Sequence, residues 1–161
     1  MGRTTWFAVA FALLPAFAAA QMGMMQGRGM GMMQGHGMGM MGGSAVRRAY
    51  VMRFGVDPRY AAAVNPLPAT PANVEAGKAL YERNCAVCHG PRGDGDGPAA
   101  KTLDPAPARL AGLGRMPIMS DGYLDWTIAE GGAPVKSAMP PFKASLSKDD
   151  IWKIVLYVRA L

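Results

Sequence analysis

Cys85, Cys88 and His89, within Asn84-Cys85-Ala86-Val87-Cys88-His89-Gly90, are the residues of this chain best suited to chemistry. Cys-x-x-Cys-His is the spacing at which c-type haem is attached. Two thiols three positions apart on a helical turn reach neighbouring vinyl groups of a porphyrin. An imidazole directly after them then points under the ring, toward the iron. Rival uses fit poorly. A structural zinc needs four ligands, and outside this motif the chain has no cysteine and a single histidine, His36. A thioredoxin-like pair belongs to a strand-helix context, which the flanking residues do not supply.

An iron held by His89 calls for a second axial donor. Bis-histidine ligation would need His36, which sits in a glycine-rich tract. Thioether sulfur is the better donor, and Met52, Met116, Met119 and Met139 are available. Met139 leads, with Met116 and Met119 as alternatives. Ala138-Met139-Pro140-Pro141-Phe142 lies 50 residues past His89, far enough to wrap to the opposite face, and its prolines leave the sulfur little freedom to lose. Asp104-Pro105-Ala106-Pro107-Ala108-Arg109-Leu110 reads as an extended run against the haem face. The Pro107 carbonyl is the expected acceptor for the N–H of His89, with Pro105 as its rival. Leu110, Tyr123 and Trp126 complete the expected haem environment. Tyr123 and Trp126 are either plain core or donors to a propionate.

Helices must position these groups. Asn73 can cap one running to Asn84, with Glu75 in its first turn, where an anion suits the dipole. Val74, Gly77, Leu80, Tyr81 and Cys85 share a face of it. Gly77 costs about 1 kcal/mol against alanine there, which a close helix crossing would justify. Ala99 to Leu103 reads as a short helix, and Asp121 to Glu130 as another, capped by Ser120 or Asp121 and stopped at Gly131-Gly132. Ser147 with Asp150 forms a capping box, flanked by Leu146 and Ile151 as a hydrophobic staple. The helix that follows presents Ile151, Ile154, Val155 and Val158, and is expected to cross the first near Gly77 and Tyr81. Between them, Gly90 to Pro98 lacks phosphate-loop spacing, and an EF-hand register would put Pro105 where a glutamate belongs. Its glycines are expected to turn the chain past the porphyrin edge.

The N-terminal third is of another kind. Residues 1–20 read as a secretory signal: Arg3, an apolar stretch from Trp6 to Leu14, then Ala18-Ala19-Ala20 as a cleavage site. Fifteen apolar residues broken by Pro15 fall short of the roughly 20 that a membrane span requires. The chain is therefore expected in the periplasm, with no membrane span after cleavage. Residues 21–43 hold MGMMQGRG, MGMMQGHG and a truncated MGMMGG, with nine methionines. So much glycine makes order costly, and a disordered tether is expected. Clustered thioethers with His36 are also soft ligands for Cu(I). Residues 44–71 form a basic, proline-containing arm, read as an extended connection that Tyr50, Phe54 and Tyr60 pin to the following domain. The net charge of +6 sits largely in Arg28, Arg47, Arg48, Arg53 and Arg59; from Ala72 onward, 11 basic residues face 10 acidic ones. Nucleic acid is excluded as a partner, because the basicity belongs to an exported arm.

Gly77-Lys78-Ala79-Leu80-Tyr81, the Cys85 to Gly90 motif, Gly93-Asp94-Gly95-Asp96-Gly97-Pro98, Met139-Pro140-Pro141-Phe142 and Asp150-Ile151-Trp152 with Tyr157 occur in the order found in one family. Over residues 72–161 the chain resembles a bacterial class I (mono-haem) cytochrome c. The resemblance implies an all-α fold, a few helices wrapped round one covalent haem, preceded here by the disordered segment. It also implies attachment through Cys85 and Cys88 and axial ligation by His89 and Met139. A histidine-methionine iron has no open position for substrate, and methionine raises its potential. The expected role is a one-electron carrier rather than an enzyme, free or as the haem subunit of a dehydrogenase, reductase or oxidase system. Redox partners would dock at the haem edge, steered by Arg92, Lys136 and Lys143. A copper-handling protein with accessory haem, and a haem enzyme or sensor after methionine dissociation, are the alternative classes.

Overall fold

The computed structural model describes residues 1–2 and 42–161. The expected signal, the repeats before Gly42, and the disorder and copper readings placed on them lie outside the described residues. Among the described residues six α-helices follow one another: α1 (Gly42–Phe54), α2 (Pro58–Ala61), α3 (Pro71–Asn84), α4 (Ala86–His89), α5 (Asp121–Glu130) and α6 (Lys148–Ala160). Short 3-10 turns at Ala100–Thr102, Leu113–Arg115 and Ala133–Val135 join them, and no strand occurs among the described residues.

α3 starts earlier than its sequence suggests. Thr70, not Asn73, is the cap: its hydroxyl accepts the Asn73 amide at 3.2 Å. Pro71 then fills the first helical position, where a missing N–H costs nothing. The Asn73 side chain is used elsewhere, donating to the Pro68 carbonyl at 2.9 Å. α6 begins at Ser147, whose hydroxyl accepts the Asp150 amide at 3.1 Å and donates to the Asp150 carboxylate at 2.7 Å. α3 and α6 cross at Gly77, where a Cβ would collide with the Lys153 carbonyl and stand 3.2 Å from the Tyr157 Cβ. Around that crossing Tyr81, Ile151, Ile154 and Val155 are fully buried. The Tyr81 ring meets Tyr157 at 5.2 Å, and its hydroxyl donates to the Gly90 carbonyl at 2.8 Å. The helix crossing thereby fixes the end of the Cys-x-x-Cys-His turn.

The segment expected to run extended through residues 44–71 is largely helical up to Ala61. α1 has little amphipathic pattern of its own and holds through tertiary contacts. Tyr50 stacks on Trp126 at 5.9 Å, and Phe54 only covers Tyr50 from outside, at 4.9 Å. Asp57 caps α2 through the Arg59 amide. The Tyr60 hydroxyl donates to Glu130 at the end of α5 (2.7 Å), while Lys143 reaches the other oxygen of that carboxylate, also at 2.7 Å. Asn65 closes the strap, donating its side-chain amide to the Trp152 carbonyl at 3.0 Å.

Glu130 gives this strap a pH dependence. Lys143 first, then Tyr60, hold its carboxyl below the ordinary glutamate value. A depressed folded-state pKa stabilises above the unfolded value, near 4.3, and that stabilisation is lost as pH falls through the lowered one. Residues 57–65 are therefore expected to lose amide protection below about pH 4 before α3 and α6 do. Glu130→Gln should open them already at neutral pH, which hydrogen exchange can read residue by residue.

Candidate functional site

α3 ends at Asn84, and the chain turns at once into α4, the four-residue turn that carries Cys88 and His89. The glycine loop folds back over this turn. Gly95 donates its amide to the His89 carbonyl at 2.8 Å and Gly97 to the Cys88 carbonyl at 3.2 Å. The Gly93 carbonyl accepts from Leu110 (2.6 Å) and Ala111 (3.0 Å), so the run before Leu110 lies across the imidazole. Gly95 is left-handed, with φ +80°, and its missing Cβ would stand 3.0 Å from the Pro107 carbonyl.

That approach decides which carbonyl meets His89. The acceptor is Ala108, not Pro107: His89 Nδ1 lies 2.9 Å from the Ala108 oxygen. The expectation was one residue out because the direction of a carbonyl depends on the turn at Gly95, which prolines do not reveal. A carbonyl cannot donate, so Nδ1 carries the proton and Nε2 is the nitrogen with a free lone pair. Burial lowers the His89 pKa, against the smaller opposing effect of Ala108, and keeps the ring neutral. Gly95→Ala should cost about 1–2 kcal/mol in left-handed strain and push the Pro107–Ala108 peptide away. With a weaker Nδ1–H bond the imidazole donates less to a metal, so the reduction potential of the loaded protein is expected to rise.

His89, Cys85 and Cys88 line one wall of a cleft of about 1170 Å³, counting its open mouth. Met139 lines the same cleft, as do Met119, Pro105, Pro107, Leu110, Tyr123 and Phe142. Trp126 does not. It is buried behind the wall, stacked under Tyr50 and beneath the Arg47 guanidinium. Among the four methionines considered, Met52 and Met116 are exposed and line no part of the cleft. The Met139 loop is held by its backbone: Gly132 donates to the Met139 carbonyl at 2.8 Å, and Phe142 to Ile128 at 3.1 Å. Met119 is held from α6, where Arg159 donates to its carbonyl at 2.8 Å and to Gly114 at 2.5 Å while pairing with Asp121 at 2.6 Å.

The Cys85 thiol does not suit redox exchange. Burial pushes Cys85 up to about 12, with Cys88 adding to the effect, whereas dithiol redox pairs need a lowered thiolate pKa. Two unpaired thiols and a free Nε2 on one wall, thioethers in the same cleft and an otherwise mostly apolar lining form the donor set a haem requires. No cluster of three or more His, Cys, Asp or Glu fit to hold a bare metal ion occurs among the described residues.

Residues 72–158, more than half of the chain, match the family described as cytochrome C oxidase, cbb3-type, subunit III. The chain belongs to this family. It is a bacterial class I cytochrome c, all-α as its sequence implied, and a haem c electron-transfer protein. Among solved structures this cytochrome is similar to a chain of the Kuenenia stuttgartiensis reducing HAO-like protein complex, at 31% identity and TM-score 0.51, over 59% of this chain and 46% of that one. It thus spans about half the length of that relative. It is also similar to cytochrome cL from the marine methylotroph Methylophaga aminisulfidivorans, at 22% identity and TM-score 0.42, over 70% and 63% of the two chains. No curated protein matches it significantly.

One feature of the cytochrome's cleft escaped the sequence reading. Arg47, on α1, lines the cleft and is 5% exposed; only its i,i+3 spacing to Tyr50 hinted that the two share a face. Lys136 lies between the cleft-lining Val135 and Ser137 with its own side chain at the surface, which places it at the rim. Arg92 and Lys143 are tied to Asp94 (3.2 Å) and Glu130 (2.7 Å).

Proposed function

We propose that this cytochrome is a periplasmic one-electron carrier with a single haem, bound covalently by Cys85 and Cys88 and ligated by His89 and Met139. The observation that carries the proposal is the convergence of Cys85, Cys88, His89 and Met139 on one mostly apolar cleft. When bound, the haem supplies the reversible one-electron couple. The protein's own residues do the remainder. Ala108 fixes the His89 tautomer and ring plane, and the backbone bonds at Gly132 and Phe142 hold the methionine loop. Leu110, Leu124 and Ile128 keep water from the site. His89 and Met139 would hold the iron and leave no place for a substrate beside it, so electrons would enter and leave at the rim, where Lys136 would steer an acidic partner. The similarity to a chain of a reducing HAO-like complex supports work inside an oxidoreductase assembly. No helix among the described residues is long and apolar enough to cross a membrane.

Met119 is the second reading for the distal donor, since it lines the same cleft. The deciding experiment is a reduced-minus-oxidised spectrum of the purified protein together with haem staining after denaturation. A c-type spectrum and a stained band are expected. Haem that leaves the denatured chain would overturn covalent attachment, and a colourless protein would overturn the whole reading.

A further inference from the structure

Arg47 is a buried cation without an anion. It is 5% exposed, and its side chain points into the haem cleft from α1, outside the segment that carries the family match. One terminal nitrogen, Nη2, donates to the Gly131 carbonyl at 2.5 Å, and the guanidinium carbon lies 4.9 Å above the Trp126 ring. The other, Nη1, is fully buried and has no hydrogen-bond partner among the described residues. No aspartate or glutamate lines the cleft: Glu130 is held by Lys143 and Tyr60, Asp121 by Arg159, and Asp125, whose Oδ2 pairs with Lys148 while its buried Oδ1 has no partner among the described residues, is not among the lining residues. Burying an unpaired guanidinium costs several kcal/mol, and burial is also what lowers the Arg47 pKa most. A chain that maintains this arrangement leaves the counter-charge to the molecule in the cleft.

We infer that Arg47 is a haem propionate anchor, donating Nη1–H to the carboxylate while Nη2 stays bound to Gly131. This rests on the proposed haem site and adds a role for the segment ahead of the cytochrome domain. α1 becomes part of the haem cleft. A guanidinium between a carbonyl, an aromatic face and a carboxylate has most of its donors and its π-face used. A positive charge there offsets the propionate and disfavours the oxidised iron, so it raises the reduction potential.

The test uses full-length holo-protein and three variants: Arg47→Gln, Arg47→Lys and, as an exposed control on the same helix, Arg53→Gln. Arg47→Gln should shift the propionate-bending band in the resonance Raman spectrum toward weaker hydrogen bonding and lower the potential. Arg47→Lys should shift the band but retain most of the potential, and Arg53→Gln should leave both unchanged. An unmoved band and potential in Arg47→Gln would overturn the assignment. Should Arg47→Gln fail to fold, the unmutated protein labelled with 15N-arginine decides. One set of guanidinium N–H signals should be protected from exchange and move between the ferric and ferrous states, and absence of such a set would overturn the inference. A colourless unmutated protein would defeat the haem reading itself, whereas a red one with redox-insensitive arginines would defeat only the role of Arg47.

Discussion

Replacing Gly77 with leucine should lower the melting temperature of the holo-protein by on the order of 10 °C. A Cβ at this position meets the Lys153 carbonyl and, 3.2 Å away, the Tyr157 Cβ. Neither neighbour can turn aside, because one is backbone and the other is fixed to it. The two helices would have to move apart, and overpacking of this kind costs about 1–3 kcal/mol, here at its upper end. Alanine should already show much of the loss, since the colliding atom is the first of the side chain. Glu75→Ala, exposed on the same helix, should stay within about 0.5 kcal/mol of the parent. Thermal unfolding followed by haem absorbance and far-UV circular dichroism separates the cases. Equal melting of Gly77→Leu and parent would show that α3 and α6 do not cross here.

Met139→Ala should remove the sulfur-to-iron charge-transfer band of the ferric protein entirely and lower its potential, because a thioether ligand favours the ferrous state. Met119→Ala should behave in the opposite way. Met119 is 3% exposed and belongs to the hydrophobic core, so its truncation should cost about 2–5 kcal/mol of stability while the band persists. Met139 is only partly buried, and its loop is held by backbone bonds and by Pro140 and Pro141, so the variant should fold. The pair of measurements separates ligation from packing. A band lost in Met119→Ala and kept in Met139→Ala would transfer the distal role to Met119.

What was legible in the chain was local. Ser147 with Asp150, Ser120 before Asp121 and Gly131 after Glu130 are caps written in adjacent residues, and each stands where its sequence implied. Gly77 was legible because glycine weakens a helix, and on an apolar face a close crossing offsets that cost. The misses came from partners distant in sequence. α1 is held through Arg47 on Gly131 and Tyr50 on Trp126, contacts 84 and 76 residues apart that leave no periodicity in Gly42–Phe54. Asn73 and Thr70 are equally good caps on composition, and the adjoining Pro71 was the signal that separated them. Ala108 replaced Pro107 because backbone direction, not residue type, selects a carbonyl.

Val158 helps line the cleft whose thiols sit on Cys85 and Cys88, 73 and 70 residues earlier in the chain. A polypeptide made from its amino end therefore presents both sulfurs before the helix that walls them in has been made. Under the proposed covalent attachment, the haem would meet an open turn that the closing helix covers only afterwards.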